Sequence, residues 1–150
     1  MSEWKLALEG ECRCAQVRIR ITSAPLITMA CHCKGCQRMS SSAYSLSVAI
    51  PSEGFTVSQG SPVIGGLHGP LRHYFCPHCM SWMFTRPPGM DWFVNVRAPL
   101  LDDADRFPPF IETCTKEKLS WATTPALYSY ESFPALEDFH RLIEAYAKRA

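Results

Sequence analysis

The sequence predicts a mainly β domain of short strands, closed by one C-terminal helix and cornered by metal-binding cysteine knuckles. Three observations carry this. Apolar and polar residues alternate over short stretches, a half-buried strand pattern. Twelve prolines and eight glycines break the chain at close intervals, which favours turns over long elements. A helical period is sustained only near the end.

Taken in order, residues 16–21 place Val17, Ile19 and Ile21 on one face and Arg18 and Arg20 on the other, a strand. Residues 26–30 are a short apolar run leading into a cysteine cluster. Residues 44–50 alternate again and stop at Pro51. Strands are expected at 55–57 and 63–67, parted by Gly60 and Pro62, then at 72–75, 82–84 and 92–96. Residues 98–109 read as loop. Their Asp102, Asp103 and Asp105 read as a solvated acidic turn, since no calcium-loop pattern surrounds them. A helix is expected over 134–148. Leu136, Phe139, Ile143 and Tyr146 recur along one stripe with Leu142 beside them. Pro134 suits a first turn, and acidic residues early with basic residues late suit the helix dipole.

The 150 residues fit one domain spanning 1–150, and 47% hydrophobic with 19% charged residues is a globular composition. A net charge of +1 without a dense Lys/Arg stripe argues against a nucleic-acid partner. No stretch has the length of a membrane span. The N-terminus lacks a basic region followed by an apolar one, so no secretory signal is expected. The eight cysteines are therefore expected to be reduced or metal-bound in a cytoplasmic protein, not paired as disulfides.

Seven of those cysteines cluster: Cys12 and Cys14 as C-x-C, Cys31, Cys33 and Cys36 as C-H-C-x-x-C, and Cys76 and Cys79 as C-P-H-C. Four thiolates close a tetrahedral zinc site, whereas three leave a position open, so the count implies one structural zinc and one that could take water or substrate. Cys12/Cys14 with Cys76/Cys79 would make the closed site. Cys31, Cys33 and Cys36 would make the open one, with Gly35 expected to supply a positive φ to the knuckle.

Three other groupings compete. Cys33/Cys36 with Cys76/Cys79 would be a zinc ribbon. Cys12/Cys14 could pair with Cys31/Cys33. Cys76–Cys79 alone could be a redox pair, although that motif needs a helix after it and residues 80–84 read as strand. The fourth ligand of an open site could be water, a substrate thiol, His32 or Cys114. His32, lying between two ligands, is expected to point to solvent or to support the site from outside, and Cys114 to be a buried free thiol. Zinc with three thiolates carries net −1, a weak Lewis acid better suited to holding a thiol as thiolate than to acidifying water. Lys34 and Arg38 are candidates to offset that charge.

The order of these clusters resembles the glutathione-dependent formaldehyde-activating enzyme family, also called GFA-like or centromere-protein-V-like. The resemblance rests on residues 10–14 (GECRC), 31–37 (CHCKGCQ) and 75–79 (FCPHC), with further agreement at 40–43, 51–55 and 117–122. It implies the β-tent fold of several small antiparallel sheets. It also implies a structural zinc on Cys12, Cys14, Cys76 and Cys79 and a second zinc on Cys31, Cys33 and Cys36, the catalytic set. The implied activity is carbon–sulfur lyase chemistry: reversible addition of the glutathione thiol to formaldehyde. The chain departs from the family where Met80 follows Cys79 and Ser41 stands, both frequent glycine positions, and where residues 109–111 lack a histidine some members carry. Cys114 is extra. Met80 at positive φ would cost on the order of 1 kcal/mol.

Trp82, Trp92 and Trp121 could line a substrate cleft, with core packing the expectation for each; His73 and His78 could hydrogen-bond to the structural cluster from outside, with surface exposure the expectation. No Ser/His/Asp set, phosphate loop or HExxH motif is present. Two functions follow. One is a zinc-dependent lyase acting on a glutathione-type thiol, marked by an open position in a cleft. The other is a non-catalytic zinc-stapled β domain that binds a protein or small thiol, marked by a closed or empty second site and an exposed apolar patch instead of a pocket.

Overall fold

The computed structural model describes residues 4–149; Met1 to Glu3, the start of the N-terminal stretch read for a signal, and Ala150 lie outside it. Eleven strands and two α-helices are arranged as a three-stranded sheet, order β1-β2-β5, and an eight-stranded sheet, order β11-β10-β3-β4-β9-β8-β7-β6. The strands are β1 (Leu8–Glu11), β2 (Arg18–Ile21), β3 (Ile27–Cys31), β4 (Ser45–Pro51), β5 (Phe55–Gln59), β6 (Val63–Gly65), β7 (Arg72–Phe75), β8 (Trp82–Arg86), β9 (Phe93–Arg97), β10 (Ile111–Thr113) and β11 (Tyr128–Ser129). The helices are α1 (Lys34–Ser40) and α2 (Leu136–Lys148). The mainly β reading and the C-terminal helix hold. Pairing is antiparallel except at β10, which lies parallel to both β3 and β11.

The strand period of two divides β4 and β9 between two environments. Val48, Ile50, Val94 and Val96 face the small sheet and pack with Ile19, Ile21, Leu8 and Phe55 into the main core. Ser47, Ala49, Asn95 and Arg97 point to the other face, toward α2. Both faces of β4 are thus covered, which is why it is buried at nearly every position. Gly10 of β1 bridges Leu101 in the segment that follows β9; a Cβ there would lie 2.7 Å from the Leu100 carbonyl oxygen, so only glycine permits the approach.

On α2, Leu142 and Tyr146 are buried against Ile27, Phe110 and Ile111. Leu136, expected in the same buried stripe, is 59% exposed at the first turn. It joins half-buried Phe139 and Ile143 on a face that roofs a cavity over the large sheet.

The sequence missed four elements. β1 and β11 are short, and β10 is buried at all three positions and so does not alternate. α1 buries no residue and thus shows no apolar period. Gly35 lies within α1 and is not at positive φ, contrary to expectation; the left-handed residues near the clusters are Ala15, Ser41, Met80 and Cys114. No helix among the described residues is long and apolar enough to cross a membrane.

Candidate metal centre and cavity

The β1–β2 hairpin carries Cys12 and Cys14, and the β7–β8 hairpin carries Cys76 and Cys79. These turns meet so that the four sulfurs lie within 4.8 Å of one another, a group that could hold a metal ion. The Cys12–Cys14 and Cys14–Cys76 sulfurs are 3.6 and 3.7 Å apart. A tetrahedron with metal–sulfur bonds of about 2.3 Å has an edge of about 3.8 Å, so the spacing fits a zinc-like ion. Backbone N–H groups support the sulfurs: Val17 donates to Cys12, and His78 and Cys79 donate to Cys76, each at 3.4 Å. Met80 closes the second knuckle at φ 60°, donating its N–H to the Cys76 carbonyl. Because one pair belongs to each sheet, an ion here ties the sheets together.

Cys31, Cys33 and Cys36 form a second group within 4.8 Å. Cys31 ends β3, Cys33 is the N-cap of α1, and the Cys36 N–H donates to the Cys33 sulfur at 3.3 Å. Gln37 braces the knuckle by donating to the carbonyls of His32 (2.7 Å) and Glu117 (3.0 Å), while the Glu117 carboxylate accepts from the Lys34 N–H. The sulfurs share protons: hydrogen bonding from Cys36 pulls Cys31 down to about 5, and Cys36, donating to Cys31 and buried beside its charge, is pushed well above the thiol range. None of the rival groupings assembles, and the C-P-H-C turn is followed by β8 instead of a helix.

His32 is fully buried, which corrects its solvent-facing alternative. Its Nε2 lies 2.8 Å from Glu112 Oε1, and Glu112 also accepts from Thr124 and Ser129. Burial alone would raise the Glu112 carboxyl, but the bonds from Ser129, His32 and Thr124 outweigh it and lower its pKa. Cys114 is buried and lies outside the three-sulfur group. Burial and the neighbouring Cys31 charge push it up to about 12, so it stays a thiol.

Cys31 and Cys36 open onto a cavity of about 520 Å³. Cross-strand register orders its floor in rows. Cys31 pairs Ser45, Met29 pairs Ser47 and Ser47 pairs Arg97. The next row runs Ile27, Ala49, Asn95, Thr85 and His73 across β3, β4, β9, β8 and β7. Arg97 therefore sits one row, about 7 Å along the strands, from the Cys31 row. Its guanidinium stacks 3.9 Å above the Trp82 ring. Burial lowers its pKa to about 10, while charge on Cys36 and Cys31 acts the other way, so it is cationic at neutral pH.

Arg97 is the site residue that sequence reasoning missed. It offsets the sulfur charge from a strand distant in sequence, whereas Lys34 and Arg38 are exposed. His73, expected at the surface, is buried with Nδ1 2.8 Å from the Thr85 hydroxyl; His78 is exposed. The core expectation for the tryptophans is corrected: Trp82 and Trp92 line the cavity, as the cleft alternative has it, and Trp121 is 71% exposed.

A Halomonas elongata protein provisionally named a glutathione-dependent formaldehyde-activating enzyme is 26% identical over 125 residues, covering 77% of this chain and 80% of that one. A crystal structure of a Rhodobacter sphaeroides protein superposes with a TM-score of 0.53 at 18% identity, covering 63% of this chain and 88% of that one, a likeness of fold. The profile of the glutathione-dependent formaldehyde-activating enzyme family matches residues 7–117, which include all seven clustered cysteines, and the chain belongs to that family.

Proposed function

We propose that this protein is a zinc-dependent carbon–sulfur lyase, acting on a glutathione-type thiol with formaldehyde or a related aldehyde. The observation that carries the reading is the opening of the three-sulfur group, through Cys31 and Cys36, onto a cavity that holds a guanidinium. A zinc-stapled domain that only binds a protein would need neither the open donor set nor the cavity beside it.

Cys12, Cys14, Cys76 and Cys79 hold a structural zinc, and Cys31, Cys33 and Cys36 hold a second. Within the single zinc-binding domain 1–150, the first stabilises the fold and the second serves the reaction. The second zinc, when bound, lowers the pKa of a substrate thiol and orients its sulfur. The Cys36 N–H fixes Cys33, and Gln37 with Glu117 fixes the knuckle, so the sulfurs need no rearrangement when substrate arrives. In the addition, the substrate sulfur bonds to the aldehyde carbon and the carbonyl π pair moves to oxygen. Arg97, cationic at neutral pH, supports the negative charge developing on that oxygen. The thiol proton leaves to solvent, and the new hydroxyl takes one from solvent. A reducing cytoplasmic compartment would keep the sulfurs available.

Zinc content on freshly purified, unoxidised protein tests this reading, with X-ray absorption at the zinc edge before and after excess glutathione. Two zincs per chain are expected, one changing its ligand environment with the thiol. A single zinc indifferent to glutathione would overturn the lyase and leave the zinc-stapled binding domain. Exchange NMR on glutathione and formaldehyde should also show faster interconversion with protein than without it.

A further inference from the structure

The cavity beside Cys31 and Cys36 is far larger than formaldehyde needs and has the wrong character for a tripeptide. Its volume of about 520 Å³ falls in the range of pockets that enclose whole small molecules. Its walls are chiefly apolar: Phe139 and Ile143 from α2, Trp82, Trp92 and Phe93 from the β8–β9 hairpin region, and Leu26 beside β3. Apart from the Cys31 and Cys36 sulfurs at one end, Arg97 is the only one of the described lining residues that is a lysine, arginine, aspartate or glutamate. Glutathione carries two carboxylates and an ammonium, and burying those charges without partners is strongly unfavourable. Its peptide therefore stays at the open mouth, and something else fills the interior.

Three polar atoms mark where that occupant has a polar end. His73 Nε2, Asn95 Oδ1 and Arg97 Nε are buried, belong to cavity-lining residues and have no protein hydrogen-bond partner. Buried polar atoms left unpaired are rare, and these three share one sheet face, His73 on β7 and Asn95 and Arg97 on β9, with β8 between them. Beyond them the cavity is apolar up to the α2 roof.

We propose that the cavity receives the apolar substituent of the aldehyde partner, so that the substrate is a glutathione-type adduct of an aldehyde bearing an aromatic or branched-aliphatic group. This rests on the thiol–aldehyde reading above and names its substrate class. The aldehyde oxygen lies toward Arg97, and the hydrocarbon lies between the sheet and α2. The addition forms the carbon–sulfur bond and turns the carbonyl into a hydroxyl, with no oxidant or reductant.

The test is binding to the zinc-loaded full chain, read by calorimetry and by the fluorescence of Trp82 and Trp92. The probes are three thioethers: S-benzylglutathione, S-methylglutathione and benzyl methyl sulfide. S-Benzylglutathione is expected to bind at least tenfold more tightly than S-methylglutathione. Leu136→Asp and Trp92→Ala, both at exposed rim positions that the fold tolerates, should each cut that preference severalfold, with zinc content and circular dichroism unchanged. Equal affinities for the benzyl and methyl compounds would overturn the inference, as would a benzyl preference untouched by both variants. Benzyl methyl sulfide binding as tightly as S-benzylglutathione would uphold the apolar cavity and overturn the glutathione reading. Binding by none of the three would overturn both.

Discussion

The guanidinium of Arg97 lies 3.9 Å above the Trp82 ring, held there between the tryptophan and the Cys31–Cys36 sulfurs. The stack fixes a desolvated cation beside a thiolate-rich site, where the proposed addition would develop an oxyanion. Arg97→Ala is expected to lower kcat for thiol–aldehyde exchange by about 10²-fold or more, with a smaller change in KM. Arg97→Lys should recover only part of that loss, because an ammonium does not stack on the ring or present a fork of donors. Steady-state exchange kinetics on both variants check this.

The two sulfur groups should respond differently to loss of a ligand. Cys76 is fully buried and its hairpin is joined to the β1–β2 hairpin through sulfur, so Cys76→Ser removes the tie between the sheets. Structural zinc contributes on the order of 10 kcal/mol, and this variant should lose its cooperative fold. α1 buries nothing, so Cys36→Ser should keep the fold, retain one zinc and melt within about 5 °C of the parent. Metal analysis with thermal denaturation distinguishes the two, and equal damage from both would contradict the assignment of roles.

Met80 occupies the left-handed region at φ 60° with 57% of its surface exposed, so it carries conformational cost with little packing in return. Met80→Gly should raise the unfolding free energy by about 0.5–1 kcal/mol, the left-handed penalty less the extra chain entropy of glycine. A shift of the urea midpoint to higher concentration at constant slope would show it. Ser41 at φ 52°, the C-cap of α1, should respond with the same sign.

Burial, with positive charge from His68 and Arg97 nearby, lowers the His73 pKa below its ordinary value. The unfolded chain therefore binds a proton that the folded chain does not, in the window between the lowered pKa and about 6.5. Stability contributed by neutral His73 is full above about pH 6.5 and is lost as pH falls through that window. His73→Asn keeps a polar atom near the Thr85 hydroxyl and removes the titration. The wild type should lose more stability than this variant between pH 7.5 and 5.5, measured by urea unfolding of both zinc-loaded proteins. Parallel pH profiles would contradict the account.

The sequence alone determined the strands of the main core, because one face of each is buried and Val17, Ile19 and Ile21 must alternate with arginines to form it. It also determined α2 and the cysteine knuckles, since C-x-C and C-x-x-C spacing is a local property of a tight turn. Only the tertiary structure decided that two hairpins distant in the chain share one sulfur group, and that His32 turns inward to Glu112. It alone brought Arg97, Asn95, Thr85 and His73 onto one floor beside Cys31. Those residues carry no local signal, because their partners are set by strand register across β3, β4, β9, β8 and β7. The same register explains the tryptophans. Their composition reads as core, but the fold turns Trp82 and Trp92 toward an apolar-walled cavity instead.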